Sequence, residues 1–384
     1  MDNMQYKLIE WMAAALHEDN SRLEPVEPEE WPAFFQETYK QGLSFLFFPL
    51  AHTLPEENKP PPEVLSFWKR QVLYSATVQL HKLKQLKGII DIFRKDGIPA
   101  IVFKGPAIAR FYNQPEYRPM SDVDVLVQDR DKQRAHLEIL SRGYVLKEGE
   151  ASHPVHFEYR KEGSLHIELH HSLLHPGILG ARQVEEWYGH IWKHARTICF
   201  NELEFMAMAE EDELINQILH LATHMIYFGA LLKHIYDIAV ILHRCKKMNW
   251  LYIRETLRTL KLFKFAGLVF LTCNHYFGLD VPEGMVSDGE MGPEEFLDDF
   301  FEKYSMEKEP GEKRGWRAIS WNLPVLCRHP AVMLPVIWAI EVFLQIEIHK
   351  GNILLSIGKS WKNVGAFRSR VRMLKDLGLL LEVS

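Results

Sequence analysis

Asp122 and Asp124 stand two residues apart in the run DVDVLV, residues 122–127. In an extended strand, residues two apart project from the same side. This spacing therefore puts two carboxylates on one face and sends Val123 and Val125 to the other. Paired like charges call for a compensating cation, and paired hard oxygens are the usual protein share of a Mg²⁺ site. The alternative is an edge strand with both acids in solvent. A third acid, Glu168, lies in LHIELHH, residues 165–171, where the same alternation gives His166, Glu168 and His170 one face. Pairing of that strand with 122–127 brings Glu168 within reach of the same cations. Two metals held by three acids can orient an attacking oxygen and stabilise a leaving pyrophosphate. Without that pairing, Glu168 is a sheet-surface acid satisfied by His170.

Upstream, the apolar strand 98–103 ends at Lys104-Gly105. Gly105 lets the backbone approach a phosphate closely, and Pro106 opens a helix whose free N–H groups can face an anion. Lys104 and Arg118 either neutralise a triphosphate or pair with Glu116 or Glu168. Neither GxxxxGK[ST] nor GxGxxG occurs in the chain. Among the 19 histidines, His220 and His224 are one helical turn apart, but Leu221 stands where a HExxH protease needs Glu. His224 and Asp237 read either as hydrogen-bonded groups between helices or as the far wall of a nucleotide or acceptor pocket. His166, His170, His171 and His175 around Glu168 form an alternative zinc cluster, although holding Glu168 in place is the commoner use of a residue like His170. Tyr112, Tyr117 and Tyr159 can stack on a base or fill the core.

The elements that must position these residues follow from periodicity and breakers. Helices are expected over 5–17, 29–50 and 64–94, the last ended by Gly97. Strand 98–103, a helix from Pro106, strand 122–127 and a surface helix over 131–142 come next. Short strands around 144–146, 155–159 and 165–170 complete the set, with Gly163 in the turn of the last hairpin. From Glu202 onward the pattern is almost entirely helical. It includes a polar stretch at 306–322, an apolar helix over 330–349, and a basic tail with five Lys or Arg between 359 and 372. The expected class is α+β, divided into a helical extension (1–63), a mixed-sheet core (64–200) and an all-helical C-terminal domain (201–384).

The 384 residues, 47% hydrophobic and 25% charged, have the balance of a globular protein. With 45 Lys and Arg against 51 Asp and Glu, the net charge of −6 argues against a long nucleic-acid partner. The four cysteines are scattered, so neither a disulfide framework nor a zinc ribbon is indicated. The start of the chain does not read as a signal peptide. The most lipid-like stretch, 331–344, contains Pro335 and Glu341 and is shorter than the roughly 20 residues of an ordinary span. The expectation is a cytoplasmic protein with no membrane span.

Taken together, KGPAIARFYNQPEYRPMSDVDVLV (104–127) and HIELHHSL (166–173) resemble the uncharacterised nucleotidyltransferase family of bacteria. That family is a branch of the DNA-polymerase-β-like nucleotidyltransferase superfamily. The matching positions are Lys104-Gly105, Tyr112, Arg118, Ser121, the Asp122/Asp124 pair and Glu168-Leu169-His170. The superfamily likeness covers about 90–175; the family likeness extends through HLATHMIYFGALLKHIYDIAVIL and NWLYIRETL. The resemblance implies a polymerase-β-like core, a mixed sheet with flanking helices, and two Mg²⁺ ions with a nucleoside triphosphate as substrate. It implies Asp122, Asp124 and Glu168 as catalytic metal ligands, with Lys104, Gly105, Arg118, Ser121, His170, His224 and Asp237 toward the nucleotide. Pro106 stands where the family's relatives commonly have serine, and the third acid is Glu rather than the more usual Asp. The implied reaction moves a nucleoside monophosphate onto a hydroxyl or phosphate of a small molecule, sugar or peptide. A protein-nucleotidylating regulator of the antitoxin or defence type, and a non-catalytic nucleotide- or partner-binding module, are the other readings.

Overall fold

The computed structural model describes residues 1–21, 23–120, 122–147, 155–173, 181–227, 230–286, 291–301, 373 and 376–379. The chain opens with α1 (Asn3–His17), started by a reciprocal cap. The Asp2 side chain accepts the Gln5 N–H at 2.9 Å, and the Gln5 side chain accepts the Asp2 N–H at 2.7 Å. Then come α2 (Trp31–Lys40) and α3 (Ser44–Thr53), where the sequence pattern predicted one helix over 29–50. The break falls at Gly42, whose φ of +72° is the left-handed conformation that ends a helix. Trp11, Trp31, Phe34 and Phe47 are buried, and Trp11 meets the other three edge-on or tilted, with Trp11 and Trp31 centroids 5.7 Å apart.

Helix α4 (Pro62–Lys95) places proline in its first turn, where the missing N–H is harmless. Its Leu83, Leu86, Ile90 and Phe93 pack on one face of a seven-stranded sheet, together with Ala135 and Ile139 of α6 (Lys132–Ser141). The strands are β1 (Ala100–Phe103), β2 (Asp122–Val127), β3 (Val145–Leu146), β4 (His156–Arg160), β5 (His166–His170), β6 (Arg196–Phe200) and β7 (Leu203–Ala207). Their order is β3-β4-β5-β2-β1-β7-β6. The sheet is mixed: β2 runs parallel to β5 and antiparallel to β1, and β1 runs parallel to β7. Val123, Val125, Val127, Ile167 and Leu169 all belong to the core under α4 and α6. Alternation therefore assigns the acids between them to the opposite face.

The β6–β7 hairpin corrects the expectation of helix from Glu202 onward. Leu203, Phe205 and Ala207 are buried while Glu204 is exposed, the alternation of a half-buried strand. The turn is Asn201-Glu202, with φ of +47° and +63°. Both residues take the positive φ of a two-residue hairpin turn, without the glycine that usually announces one.

The remaining described elements are helices: α5 (Gly105–Ala109) after β1, α7 (Ala181–His194) before β6, then α8 (Glu210–Tyr227), α9 (Leu232–Arg244), α10 (Trp250–Thr259), α11 (Phe263–Phe277) and α12 (Pro293–Phe301). The last five make the helical C-terminal region. The chain forms two compact units. The first is Met1–Gln217, Leu231–Thr256 and Cys273–Asp280, and contains the whole sheet. The second comprises Ile218–Ala230, Leu257–Thr272 and residues from Val281 onward, with Phe265 packed edge-on against Phe296 at 6.0 Å. The features expected over 306–322, 330–349 and 359–372 lie outside the described residues. Among the described residues no helix is long and apolar enough to cross a membrane.

Candidate active site

The register of β2 against β5 brings the three acids together. Asp122 pairs with His166, Asp124 with Glu168 and Leu126 with His170, so Asp124 and Glu168 are lateral neighbours on one face. On the other side of β2, Phe103 of β1 pairs with Asp124, which places Lys104 at the acids. Lys104 Nζ donates to Asp124 Oδ1 at 2.8 Å. His170 Nε2 lies 3.0 Å from the same oxygen and 3.3 Å from Glu168 Oε2. Phe103 closes the group, its ring 4.9 Å edge-on from that of His170.

Burial works against charge on Asp124, yet Lys104 and the His170 hydrogen bond hold its carboxyl well below the ordinary carboxylate range. Glu168 is lowered too: burial and the repulsion from Asp124 push it up, but the His170 hydrogen bond together with the charges of His170 and Lys104 outweighs them. On the other side of the exchange, burial alone would depress His170, but its two carboxylate partners raise it. Lys104 is likewise raised against its own desolvation by Asp124 and Glu168.

The turn that carries Lys104 is strained. Lys104 sits at φ +53°, ψ −140°, and Gly105 follows at φ +23°. A non-glycine residue held in such a region costs of order 1–3 kcal/mol and persists only where the surroundings fix it. Arg118 provides that fixation, donating Nη1 to the Gly105 carbonyl at 3.1 Å. Its other nitrogens grip Asp237 of α9 in a bidentate pair, Nε to Oδ1 at 2.7 Å and Nη2 to Oδ2 at 2.9 Å. The Tyr112 hydroxyl also donates to Asp237 Oδ1, at 2.6 Å. Arg118 and Asp237 are 6% and 2% exposed. Burial opposes ionisation of Asp237, but Arg118 overrides it and keeps the carboxyl below its usual value. Arg118 and Asp237, both expected toward the nucleotide, bind each other, and Arg118 also holds the turn; the partner of Arg118 is Asp237 rather than Glu116 or Glu168.

Two lysines that the sequence reading passed over stand near Asp122. Lys82 of α4 donates Nζ to the Met120 carbonyl at 2.6 Å and lies in the field of Asp122, while burial lowers its pKa. Lys233 of α9 is lowered by burial and by Arg118, against the pull of Asp237 and Asp122. Its stem runs past Gly42, where an added Cβ would come within 3.1 Å of Lys233 Cδ. Both lysines interrupt the polar face of an amphipathic helix, a pattern indistinguishable in sequence from a solvated face.

Glu213 on α8 was also missed. It is fully buried; Gln217 Nε2 donates to Oε1 at 3.0 Å, and Oε2 has no hydrogen-bond partner among the described residues. Burial pushes its carboxyl up to about 7, with the Arg110 charge pulling part of the way back. A raised carboxyl pKa makes ionisation costly to the folded state, so the native protein loses stability as pH rises from about 4.5 to about 7. Glu213→Gln abolishes that dependence. The stability of the variant relative to the parent should climb by about 3 kcal/mol between pH 4 and pH 8, read from urea midpoints across the range. Parallel curves for the two proteins would exclude an ionising Glu213.

The other expected residues separate. His224 belongs to the second unit, its ring 4.5 Å edge-on from that of His220. Ser121 and His175 lie outside the described residues. His166 is exposed on β5, and His171 packs on Phe157 at 5.4 Å, so the described part of the expected zinc cluster does not assemble as a set. The Tyr159 hydroxyl is 2.7 Å from His136 Nδ1, and its ring is fully buried; Tyr112 is buried against Tyr236. Neither ring is open to a base.

One solved structure with detectable likeness is a nucleotidyltransferase-like antigenic protein from Paracoccidioides brasiliensis, 17% identical, covering 42% of this chain and 75% of that one, with a TM-score of 0.29. At that score the likeness carries no weight. No curated protein matches the chain significantly. The model of the uncharacterised nucleotidyltransferase family matches residues 27–278, which hold the whole sheet, the acids on β2 and β5, and the Arg118–Asp237 brace. The chain belongs to that family, within the polymerase-β-like nucleotidyltransferase superfamily.

Proposed function

We propose that this protein transfers a nucleoside monophosphate from a nucleoside triphosphate to a hydroxyl or phosphate of a small molecule, sugar or peptide. The observation that carries the reading is the β2–β5 register, which sets Asp122, Asp124 and Glu168 side by side with Lys104 at their edge. The donor set fits a hard divalent cation, because it is all carboxylate and because Asp124 already draws a lysine and a histidine onto one oxygen. Asp122, Asp124 and Glu168 would hold Mg²⁺, which when bound supplies charge stabilisation at the phosphates and at the attacking oxygen.

The chain's own groups do the rest. The Lys104-Gly105 turn carries the ammonium to the phosphates, and Lys82 and Lys233 add positive charge on the Asp122 side. The acceptor oxygen forms its bond to the α-phosphorus as the bond to pyrophosphate breaks, and the acceptor's proton leaves to solvent. Glu168, with a lowered pKa, is a poor store for that proton; it stays ionised and would help hold the Mg²⁺ that stabilises charge at the attacking oxygen.

Calorimetric titration of ATP, GTP, CTP and UTP with Mg²⁺ tests the reading, with Asp122→Asn as control. One triphosphate is expected to bind, with affinity lowered at least tenfold without Mg²⁺ or in the control. No binding of any of the four at millimolar concentration by folded protein would remove the reading.

A further inference from the structure

The polar face of the sheet does not stop at Glu168. On β4, antiparallel to β5, His156 stands directly opposite His170, so the two side chains share a face and their rings lie 4.8 Å apart. Glu168 projects from the same face, two residues before His170. One donor atom from each of His156, Glu168 and His170 lies within 4.8 Å of the other two. His170 is 5% exposed, and its Nδ1 has no hydrogen-bond partner among the described residues. The next acid along, Glu158, is held by Lys147 and Arg160 and is not part of the group.

Two imidazoles and a carboxylate are not a magnesium donor set. Mg²⁺ demands oxygen ligands and keeps much of its water, whereas imidazole suits zinc and its neighbours. Two histidines with one acid, leaving a position open, is a recurring zinc arrangement. Donors around a tetrahedral zinc lie about 3.4 Å apart, given bonds of about 2.1 Å. The present donor spacing of up to 4.8 Å must close to that on binding, with the β4–β5 ladder holding His156 and His170 opposite each other.

We propose that His156, Glu168 and His170 bind a zinc-class divalent cation beside the Asp122/Asp124 pair, with Glu168 within reach of both. The sequence suggested zinc around Glu168 through His166, His170, His171 and His175. The fold keeps His170 and supplies its partner from the neighbouring strand instead. The site stands on its own geometry, so zinc binding by a protein that binds no triphosphate would fail only the nucleotidyl-transfer reading.

The test uses metal-stripped full-length protein. Crystals of the parent soaked in Zn²⁺ and measured at the zinc absorption edge should show an anomalous peak bounded by the three side chains. In solution, His156→Gln should lose one equivalent of Zn²⁺, with affinity at that site down at least 100-fold, and should lose the matching Co²⁺ absorption band. Asp122→Asn should keep both. Absence of the anomalous peak, or a His156→Gln protein that retains the full zinc count, overturns the site. Should His156→Gln fail to fold, the peak in the parent decides.

Discussion

Arg118→Ala is expected to destabilise the protein by about 3–5 kcal/mol, among the largest effects available to a single substitution in the sheet unit. The reason lies in what remains. Asp237 is 2% exposed and accepts from Arg118 twice and from Tyr112 once. Without the guanidinium, a buried carboxylate is left with one neutral donor and must either stay charged in an apolar surrounding or take up a proton. Asp237→Ala should cost a similar amount, by stranding the guanidinium. The double substitution Arg118→Met/Asp237→Leu should cost clearly less than the sum, since it leaves no buried charge alone and fills the space. Denaturant unfolding of the parent, Arg118→Met, Asp237→Leu and the double variant at pH 7 gives the coupling energy directly. Strictly additive losses would mean that the pair is not a coupled buried unit. The double variant has a second use, because it keeps the fold while removing the clamp on the Gly105 carbonyl. If the strained turn at Lys104 depends on that clamp, triphosphate affinity should fall in a protein whose acids are untouched.

How much of this was legible in sequence differs sharply between groups. The acids were, because strand alternation has a period of two and a pair of aspartates among valines declares its own face. The approach of Glu168 followed once β5 was paired with β2, and Asp124 does pair with Glu168. The brace was not, since Arg118 and Asp237 are 119 residues apart and nothing local to either names the other. Both were noticed, yet a buried guanidinium and one that meets a phosphate look alike until burial is known. Lys82 and Lys233 were hidden for a related reason: each sits among other polar residues of its helix, and only packing shows which lysines turn toward Asp122. The β6–β7 hairpin escaped because its turn, Asn201-Glu202, reaches positive φ without glycine. His156 was overlooked because cross-strand pairing, rather than proximity along the chain, makes it the neighbour of His170.

Asp124→Asn separates the chemistry of the site from its architecture. Pyrophosphate release from the triphosphate that binds is expected to fall at least 10³-fold, equivalent to about 4 kcal/mol of lost transition-state stabilisation. The amide matches the carboxylate in shape and still offers an oxygen to Lys104, so the fold should survive. It carries no charge, and charge is what sets this position apart. Asp124 is buried, and its carboxyl remains ionised only because Lys104 and His170 converge on one oxygen at 2.8 and 3.0 Å. With its folded pKa held below the ordinary value, Asp124 adds stability that is complete above the unfolded carboxylate range near 4 and vanishes as pH falls through the folded pKa. The variant should therefore be less stable than the parent at pH 7, by on the order of 1–3 kcal/mol for hydrogen bonds to a charged group. That gap should narrow steadily below pH 4 as the parent's carboxyl takes up its proton. Lys104→Met provides the contrast. It also strips Asp124 of a partner and lowers stability at pH 7, but it leaves all three acids in place, so the Mg²⁺ requirement for binding triphosphate should persist at weaker affinity. An Asp124→Asn protein that released pyrophosphate as fast as the parent, or a Lys104→Met protein that bound triphosphate equally well with and without Mg²⁺, would take the reaction away from this face of the sheet.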